Sequence, residues 1–540
     1  MSVCLRCHGS FRRSKRPPRQ RSSTVSGVVS PGRRRFLTVG AGVVGAAASG
    51  QLLLAGTARA AQSPLPSGVF SLGVASGDPL PDGVVLWTRL APDPLHGGGM
   101  PDRAVVVEWQ ISEDSRFRRK VKRGYAWARP ELGHSVHADV RGLLPDRQYW
   151  YRFRTSGQLS PVGRTRTAPR QLASGSHLRL ALASCQNWQH GYFTPYADML
   201  AQDPDVVVFV GDYIYESTSA ITGVRKHEGT GEPTTLVQYR NRYAQYHSDP
   251  HLKAMHAAAP FVVTFDDHEV DNDFAGDVPQ DPDKQTPEAF AARLTAAYQA
   301  YYEHMPVRAT AVPNGPHIRM HRRLDFGRLV RLNVLDTRQF RSDQATTQAG
   351  AQDPAMTMLG AAQKQWLLNS LHGSQARWNL IASQIMMAET DLRIGEGKLW
   401  YYDAWDGYQV ERNALLGEFA NVRNPVVLSG DRHVTMISDL KRDFADPRSA
   451  VVGAEFVGTS ISSGGDQDAV AFHKQWDALK GDNPHWKVID NHRGYHLFDI
   501  RRGGIDAQVR IADTVTRSTS ASRTLAKLHV ESGKPGVRTV

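Results

Sequence analysis

The sequence predicts a layered α/β protein with a small all-β domain in front of it. Two textures along the chain lead there. Residues 66–170 read as short strands separated by turn-rich segments. From residue 177 onward, fully apolar strands alternate with helical stretches. A hydrophobic content of 41% and 11 Trp argue for a packed body, large enough for a substantial core and more than one domain.

Residues 1–60 read as an export address. Arg33-Arg34-Arg35-Phe36-Leu37 has the twin-arginine pattern, an Ala/Gly-rich stretch follows over 38–56, and Ala58-Arg59-Ala60 supplies a small-x-small cleavage site. The stretch is interrupted by Gly40, Gly42, Gly45, Gly50 and Gln51, so it lacks the roughly 20 strongly apolar residues of a spanning helix. No stable membrane anchor is expected. The implied partner is the twin-arginine (Tat) translocase, which carries folded proteins, and the implied location is extracytoplasmic. Cys4-Leu5-Arg6-Cys7-His8 matches a c-type haem attachment pattern, but cleavage would discard it and a chance match is the better reading.

The leader also explains the charge. It holds 11 Lys and Arg and no acidic residue. The chain's 65 basic side chains less these 11 leave 54 against 53 acidic, a net +1 for the remaining body. A general electrostatic grip on nucleic acid is therefore not expected. Beyond the leader only Cys185 remains, so no intramolecular disulfide is possible there.

Within 66–170, strands are expected at 83–89, 104–111, 135–140 and 148–155, enough for a β-sandwich. Tyr149, Tyr151 and Phe153 alternate and would feed its core. Gly142-Leu143-Leu144-Pro145 before Tyr149 resembles the corner of a fibronectin-like sandwich, where a Tyr hydroxyl holds a turn. Residues 156–176, rich in Ser, Pro, Arg and Gly, read as a linker. The α/β body is expected over 177–515, with strands at 178–183, 206–210, 260–265, 329–335, 378–384 and 425–429 and helices at 193–200 and 287–304. The tail, 516–540, reads as polar, with a helix and a loose end, and 501–540 is a candidate lid.

Ligands of layered α/β domains bind at the carboxyl ends of strands. Here those ends carry Ser184-Cys185-Gln186-Asn187, Gly211-Asp212-Tyr213-Ile214-Tyr215-Glu216, Asp266-Asp267-His268-Glu269 followed by Asn272, Asp336-Thr337-Arg338, Gln384, and Gly430-Asp431-Arg432-His433. Each has an ordinary reading alone. A lone Asp after a strand is usually a cap, a lone His a hydrogen-bonded structural residue, and a lone Cys packing. So many in one domain are not explained as independent accidents, and a metal site of mixed softness is expected.

These motifs together resemble the PhoD-type alkaline phosphatase/phosphodiesterase family of the calcineurin-like metallophosphoesterases. The resemblance runs from Phe70-Ser71-Leu72-Gly73 to the Gly494-Tyr495 region. Cys185-Gln186-Asn187 stands where the wider superfamily has Asp-x-His, Asp266-Asp267-His268-Glu269 where it has Gly-Asn-His, and Gly430-Asp431-Arg432-His433 where it has Gly-His-x-His. The resemblance implies a layered αββα sandwich behind a fibronectin/Ig-like sandwich. It implies one ferric ion (Fe3+) held by Cys185, Asp212 and Tyr215, with Ca2+ beside it and Asp212 bridging. The Asp-x-x-Tyr spacing is the one purple acid phosphatases use for their ferric ion, which favours Tyr215 over Tyr213. Asp266, Asp267, Asn272, Asp431 and His433 are the remaining candidate ligands. Either carboxylate of the Asp266-Asp267 pair could serve, and superfamily register favours Asp267. His268 and Arg432 would contact the phosphate or the leaving group. Arg338 either supports the site or is a plain structural ion pair.

The expected activity is hydrolysis of phosphodiesters and phosphomonoesters by direct attack of a metal-bridging oxygen species, without a covalent Ser intermediate. Teichoic acids, phospholipid head groups, nucleotides and simple esters are candidate substrates. A phospholipase D-like action on lipid head groups is the alternative within the enzymes. The alternative from another class is a non-catalytic cell-surface binding protein; the intact ligand set speaks against it.

Overall fold

The computed structural model describes residues 64–217, 223–229 and 231–540. The twin-arginine leader and the Cys4–Cys7 pattern lie outside the described residues. The N-terminal layers contain β1 (Val74–Leu80), β2 (Gly83–Arg89), β3 (Val105–Ser112), β4 (Lys122–Ala128), β5 (Ser135–Arg141), β6 (Gln148–Thr155), β7 (Gln158–Leu159) and β8 (Gly163–Arg166). One sheet runs β4-β3-β6-β7, with β8 also on β6. It packs on β1-β2-β5 through Val84, Leu86, Val107, Ile111, Tyr151 and Phe153. Tyr149, Tyr151 and Phe153 all point into this core, as their alternation predicts. The corner is present too: the Leu144 N–H donates to the Tyr149 hydroxyl at 2.9 Å. The segment read as a linker is partly ordered sheet, because β7 and β8 lie within it. Its short Gly- and Arg-rich strands hide their alternation in a turn-like composition.

The α/β part contains, in chain order, β9 (His177–Ala183), α1 (Pro195–Ala201), β10 (Val206–Phe209), α2 (Leu236–His247), α3 (Pro250–Ala258), β11 (Phe261–Val263), α4 (Pro287–His304), β12 (Arg322–Phe326) and β13 (Val330–Val334). There follow α5 (Gln348–Ala351), α6 (Gly360–His372), β14 (Trp378–Ala382), α7 (Gln409–Phe419), β15 (Pro425–Ser429), β16 (Thr435–Lys441), β17 (Val451–Val457), α8 (Ala469–Trp476), β18 (Trp486–Asp490) and β19 (Gly494–Arg501). The chain closes with β20 (Gly504–Ala512), β21 (Ser522–Glu531) and β22 (Arg538–Thr539).

Two sheets face each other. One runs β22-β21-β20-β19-β9-β10-β11-β1-β2-β5 and the other β12-β13-β14-β15-β17-β16-β18. The alternation of each strand builds the layers. Leu180 and Leu182 of β9 and Val206 and Val208 of β10 enter the core between the sheets, where they meet Leu332, Leu380, Val426 and Leu428. Ala181, Ala183, Val207 and Phe209 face outward and are covered by side chains of α2, α3 and α4. Ile381 and Val427 of the second sheet are covered from α6 and α7. The result is the αββα sandwich, with apolar strands buried on both faces.

The C-terminal reading is corrected. Residues 516–540 are not a helix with a loose end. They hold β21 and β22, which extend the ten-stranded sheet at one edge, with Leu528 and Val530 buried and alternating with Lys527 and His529. One buried face is enough for an edge strand, so its composition stays polar.

The N-terminal sandwich and the layered body share the ten-stranded sheet through β1, where Gly77 pairs with Phe261 of β11. A Cβ at Gly77 would stand 2.2 Å from the Pro306 carbonyl oxygen and 2.7 Å from that of Phe261. Both are backbone atoms, and that of Phe261 is held in β11. Gly77→Ala is therefore expected to cost about 1–3 kcal/mol of stability, read as a lowered urea midpoint. An unchanged midpoint would show that the junction yields freely.

Candidate metal centre

The parallel strands β9, β10 and β11 deliver Cys185, Asp212 with Tyr215, and Asp266 with Asp267. The parallel strands β13, β14 and β15 of the facing sheet deliver Arg338, Gln384, and Asp431 with His433. The two sets meet. The backbone makes abrupt turns to bring them there: Cys185, Asp212, Asp431 and His433 have φ of 58°, 57°, 67° and 55°. Non-glycine residues held in this left-handed region cost about 1–3 kcal/mol each and need a surrounding structure that over-determines them. Hydrogen bonds supply it: the N–H groups of Cys185 and Gln186 donate to the carbonyls of Gly211 and Asp212 at 3.1 and 3.0 Å. Gly211 has φ 107°, and a Cβ there would lie 2.4 Å from the Cβ of Asp266.

Donor atoms of Cys185, Asp212 and His433 lie within 4.8 Å of one another. The Tyr215 hydroxyl donates to Asp212 Oδ2 at 2.8 Å and stands 2.9 Å from His433 Nε2. Tyr213 turns elsewhere, with its hydroxyl 2.7 Å from His256 Nε2 and 3.2 Å from that of His247. A second group joins Asp212, Asp267 and His268, and a third, of oxygen donors only, joins Asp266, Asp267 and Asp431. Asn272 is held alongside by its backbone N–H, which donates to Glu216 Oε1 at 3.2 Å; its side-chain Nδ2 finds no hydrogen-bond partner. Nδ1 of His268 is 2.7 Å from Glu216 Oε2, and its ring lies 4.1 Å from that of Tyr215. Arg432 lies over the Tyr401 ring at 4.3 Å, and its buried Nε has no hydrogen-bond partner.

Charge is concentrated here. Burial, opposed by His268 and reinforced by Asp267, pushes Asp212 up to about 7. Burial and then Asp403 push Asp431 to about 7. Burial, opposed by Arg338, holds Asp266 well above the usual carboxylate range. Burial opposes the Asp267 charge too, but Arg338 and His268 outweigh it and keep this carboxyl low. Burial and then Asp212 hold the Cys185 thiol well above its ordinary value, and burial lowers His433 to about 3, so its imidazole is neutral. Asp212 Oδ1, Asp266 Oδ2 and Asp267 Oδ1 are buried and accept no hydrogen bond. Oxygens in that state call for a partner. Beside a thiol, a phenol and a neutral imidazole, they fit metal ions.

The PhoD-like phosphatase family matches residues 180–509, and its N-terminal domain matches residues 56–169. The chain belongs to the PhoD-like phosphatase family. Alkaline phosphatase D of Bacillus subtilis (strain 168) is 44% identical over 484 residues, 87% of this chain and 82% of that protein. A solved structure of PhoD superposes with a TM-score of 0.85 at 44% identity, over 88% of this chain and 93% of that one. A purple acid phosphatase from yellow lupin seeds shares the fold alone, with a TM-score of 0.50 at 13% identity over 84% and 73% of the two chains. This PhoD-like phosphatase is thus a phosphoric ester hydrolase built on a metallophosphoesterase sandwich.

Other residues of the phosphatase site were named in the sequence with their role left open, as Arg338 and Gln384 were, or were not singled out at all. Arg338 is fully buried among carboxylates: Nε on Asp266, and 3.0, 3.5 and 3.7 Å from Asp403, Asp267 and Asp431. It is thus an ion pair and a contact of the site at once. Asp403 comes from the loop after β14 and groups with Asp267 and Asp273; only its Tyr401-Tyr402 neighbours hint at a special segment. Ser463 donates to the Tyr215 hydroxyl at 2.8 Å and accepts from the Asn187 N–H at 3.0 Å. Gln384 is a connector, its amide donating to Thr264 Oγ1 and to the Phe265 and Leu335 carbonyls. Glu269, the last residue of the Asp-Asp-His-Glu run, accepts from three backbone N–H groups, those of Asp212, Tyr213 and Asp266.

Two predictions follow from this geometry. Glu269→Ala leaves those three N–H groups without an acceptor, each costing about 1–3 kcal/mol if buried unpaired. Hydrolysis and metal affinity should each fall about 10–100-fold, read by turnover and by metal titration; wild-type values in both would refute the positioning role. The second concerns pH. Asp212 and Asp431 titrate near 7 in the folded, metal-free protein and near about 4 when unfolded. The stability they lend is present below about 4 and lost as pH rises through about 7. Metal binds the deprotonated form. The difference in Tm between metal-loaded and metal-stripped protein should therefore widen from pH 5 to pH 8, and a constant difference would contradict this charge assignment.

Proposed function

We propose that this phosphatase is exported folded through its twin-arginine leader and cleaves phosphodiesters and phosphomonoesters at a centre of one Fe3+ with Ca2+ beside it. The observation that carries this reading is the sharing of Asp212 between two unlike donor sets. Cys185, Tyr215 and His433 on one side offer sulfur, phenol and imidazole; Asp267 and His268 on the other lead to the oxygen-only group of Asp266, Asp267 and Asp431. Soft and phenolic donors suit ferric iron, and clustered carboxylates suit calcium. Asp266 Oδ1 is engaged by Arg338, whereas Asp267 takes part in three of the donor groups, which favours Asp267 as the ligand of the pair. Asn272 would complete the oxygen set.

Metal ions bound there would offset the charge of the phosphate and lower the pKa of water beside it. The chain's own residues do the rest. Burial opposes a charge on His268, but Glu216, which holds it by Nδ1, and Asp212 outweigh this and favour the protonated form, so the ring offers positive charge, and a proton, to the leaving-group oxygen. Arg432, braced on Tyr401, has a planar fork that matches phosphate oxygens. Arg338 stays with Asp266 and Asp403 and keeps the carboxylates in place. Among the described residues no helix is long and apolar enough to cross a membrane.

The test is hydrolysis of an aryl phosphodiester and an aryl phosphomonoester at alkaline pH before chelation, after it, and after Ca2+ is restored. Activity should disappear and return. Tyr215→Phe and Cys185→Ala should each shift and weaken the visible charge-transfer absorption of the iron and lower turnover by at least about a hundredfold. Full activity in protein shown by elemental analysis to be metal-free would overturn the mechanism.

A further inference from the structure

Six of the eight residues from 116 to 123 are Arg or Lys, and none is acidic. This is a local excess in a body that is close to neutral. The run forms the connection from β3 to β4 and the first two residues of β4. A single carboxylate shapes it: Asp114 accepts from the backbone N–H groups of Arg116, Arg118 and Arg119 at 3.0, 3.0 and 2.7 Å. Those three side chains are exposed, and among the described residues none of them makes an ion pair, whereas Lys120 pairs with Glu113 at 3.2 Å. Phe117 tucks beneath the Arg152 guanidinium, 4.2 Å away, which lays the connection against the outer face of the sheet.

That face continues the pattern. Register places Arg123, Gln110 and Arg152 side by side across β4, β3 and β6, and Tyr125, Glu108 and Arg154 in the next row. Trp127 follows, opposite Val106. Tyr125 is 72% exposed and Trp127 55%, on the edge strand of an open sheet face. Cations on an exposed connection, with amphipathic rings just behind them, form a surface rather than a pocket. Tyr and Trp of this kind settle at the head-group level of bilayers, and each Lys or Arg near an anionic leaflet adds attraction of its own. Free guanidinium groups pair with lipid phosphates by two hydrogen bonds.

We propose that the outer face of the β4-β3-β6 sheet, with the 116–123 connection, docks the protein onto an anionic lipid bilayer. The binding is peripheral, and the proposal does not depend on the metal centre. It gives the N-terminal sandwich a role that packing alone does not.

The test is co-sedimentation of the full-length phosphatase with vesicles of 70% phosphatidylcholine and 30% phosphatidylglycerol, and with vesicles of phosphatidylcholine alone, over a salt series. Binding to the anionic vesicles only, weakening with salt, is expected. Arg116→Gln/Arg118→Gln/Arg119→Gln should lower the partition about a hundredfold. Trp127→Ala should lower it about tenfold while leaving retention on a soluble polyanion, long-chain polyphosphate, unchanged. Hydrolysis of a small soluble ester should be untouched in both variants, which confirms that they fold. Equal partition into the two vesicle types, no partition at low salt, or a triple variant that binds as the wild type would overturn the proposal. So would capture by polyphosphate without capture by vesicles, which would assign the surface to a soluble polyanion.

Discussion

Carboxylates that meet in a dry interior cannot all keep their charge unless cations stand among them. Asp266, Asp267, Asp403 and Asp431 surround the Arg338 guanidinium, and Asp212 lies across from it. Arg338 offsets part of the repulsion and leaves buried oxygens of Asp212, Asp266 and Asp267 with no hydrogen bond. The strand ends, the left-handed turns and the anchoring by Glu269 all serve to hold this unfavourable grouping together. Removing one member of such a network exposes the rest, which is why a buried ionic cluster is a poor source of stability and a good seat for ions.

The layered architecture answers that constraint mechanically. Three parallel strands in one sheet and three in the other end at the same place, so each donor residue sits one or a few positions beyond a strand buried on both faces. Side chains anchored this way are held by the packing of Leu180, Val208, Leu380 and Leu428 rather than by loops alone. The 44% identity to a Bacillus subtilis alkaline phosphatase D spans both the sandwich and the layered body, as do the two family regions.

What could be read in the sequence was local. Cys185, Asp212, Tyr215, Asp267, Asp431 and His433 follow apolar strands within a few residues, and the strand marks them. Tyr149 announced its corner through Gly142-Leu143-Leu144-Pro145 before it. Asp403 and Ser463 gave no such mark, because they arrive from irregular segments whose path depends on tertiary packing. The role of Glu269 was hidden, and that of Arg338 left open between two, for another reason: each acts through groups brought near only by folding. The strands β7, β8 and β21 were missed because short strands, and strands near the border of a sheet, bury only one face and keep a loop-like composition.

The order of the ten-stranded sheet has a kinetic meaning. β9 lies at its middle, bordered on one side by β10 and on the other by β19, where His177 pairs with Arg501. More than three hundred residues of chain separate those neighbours, so closing that pairing carries a large entropic cost and comes late. During synthesis, β9 waits with one edge open until nearly the whole polypeptide has emerged. The inner face of Leu180 and Leu182 is covered sooner, once β13, β14 and β15 have emerged, so what stays open is the strand edge. An unpaired strand edge of this kind is where a folding chain is open to aggregation.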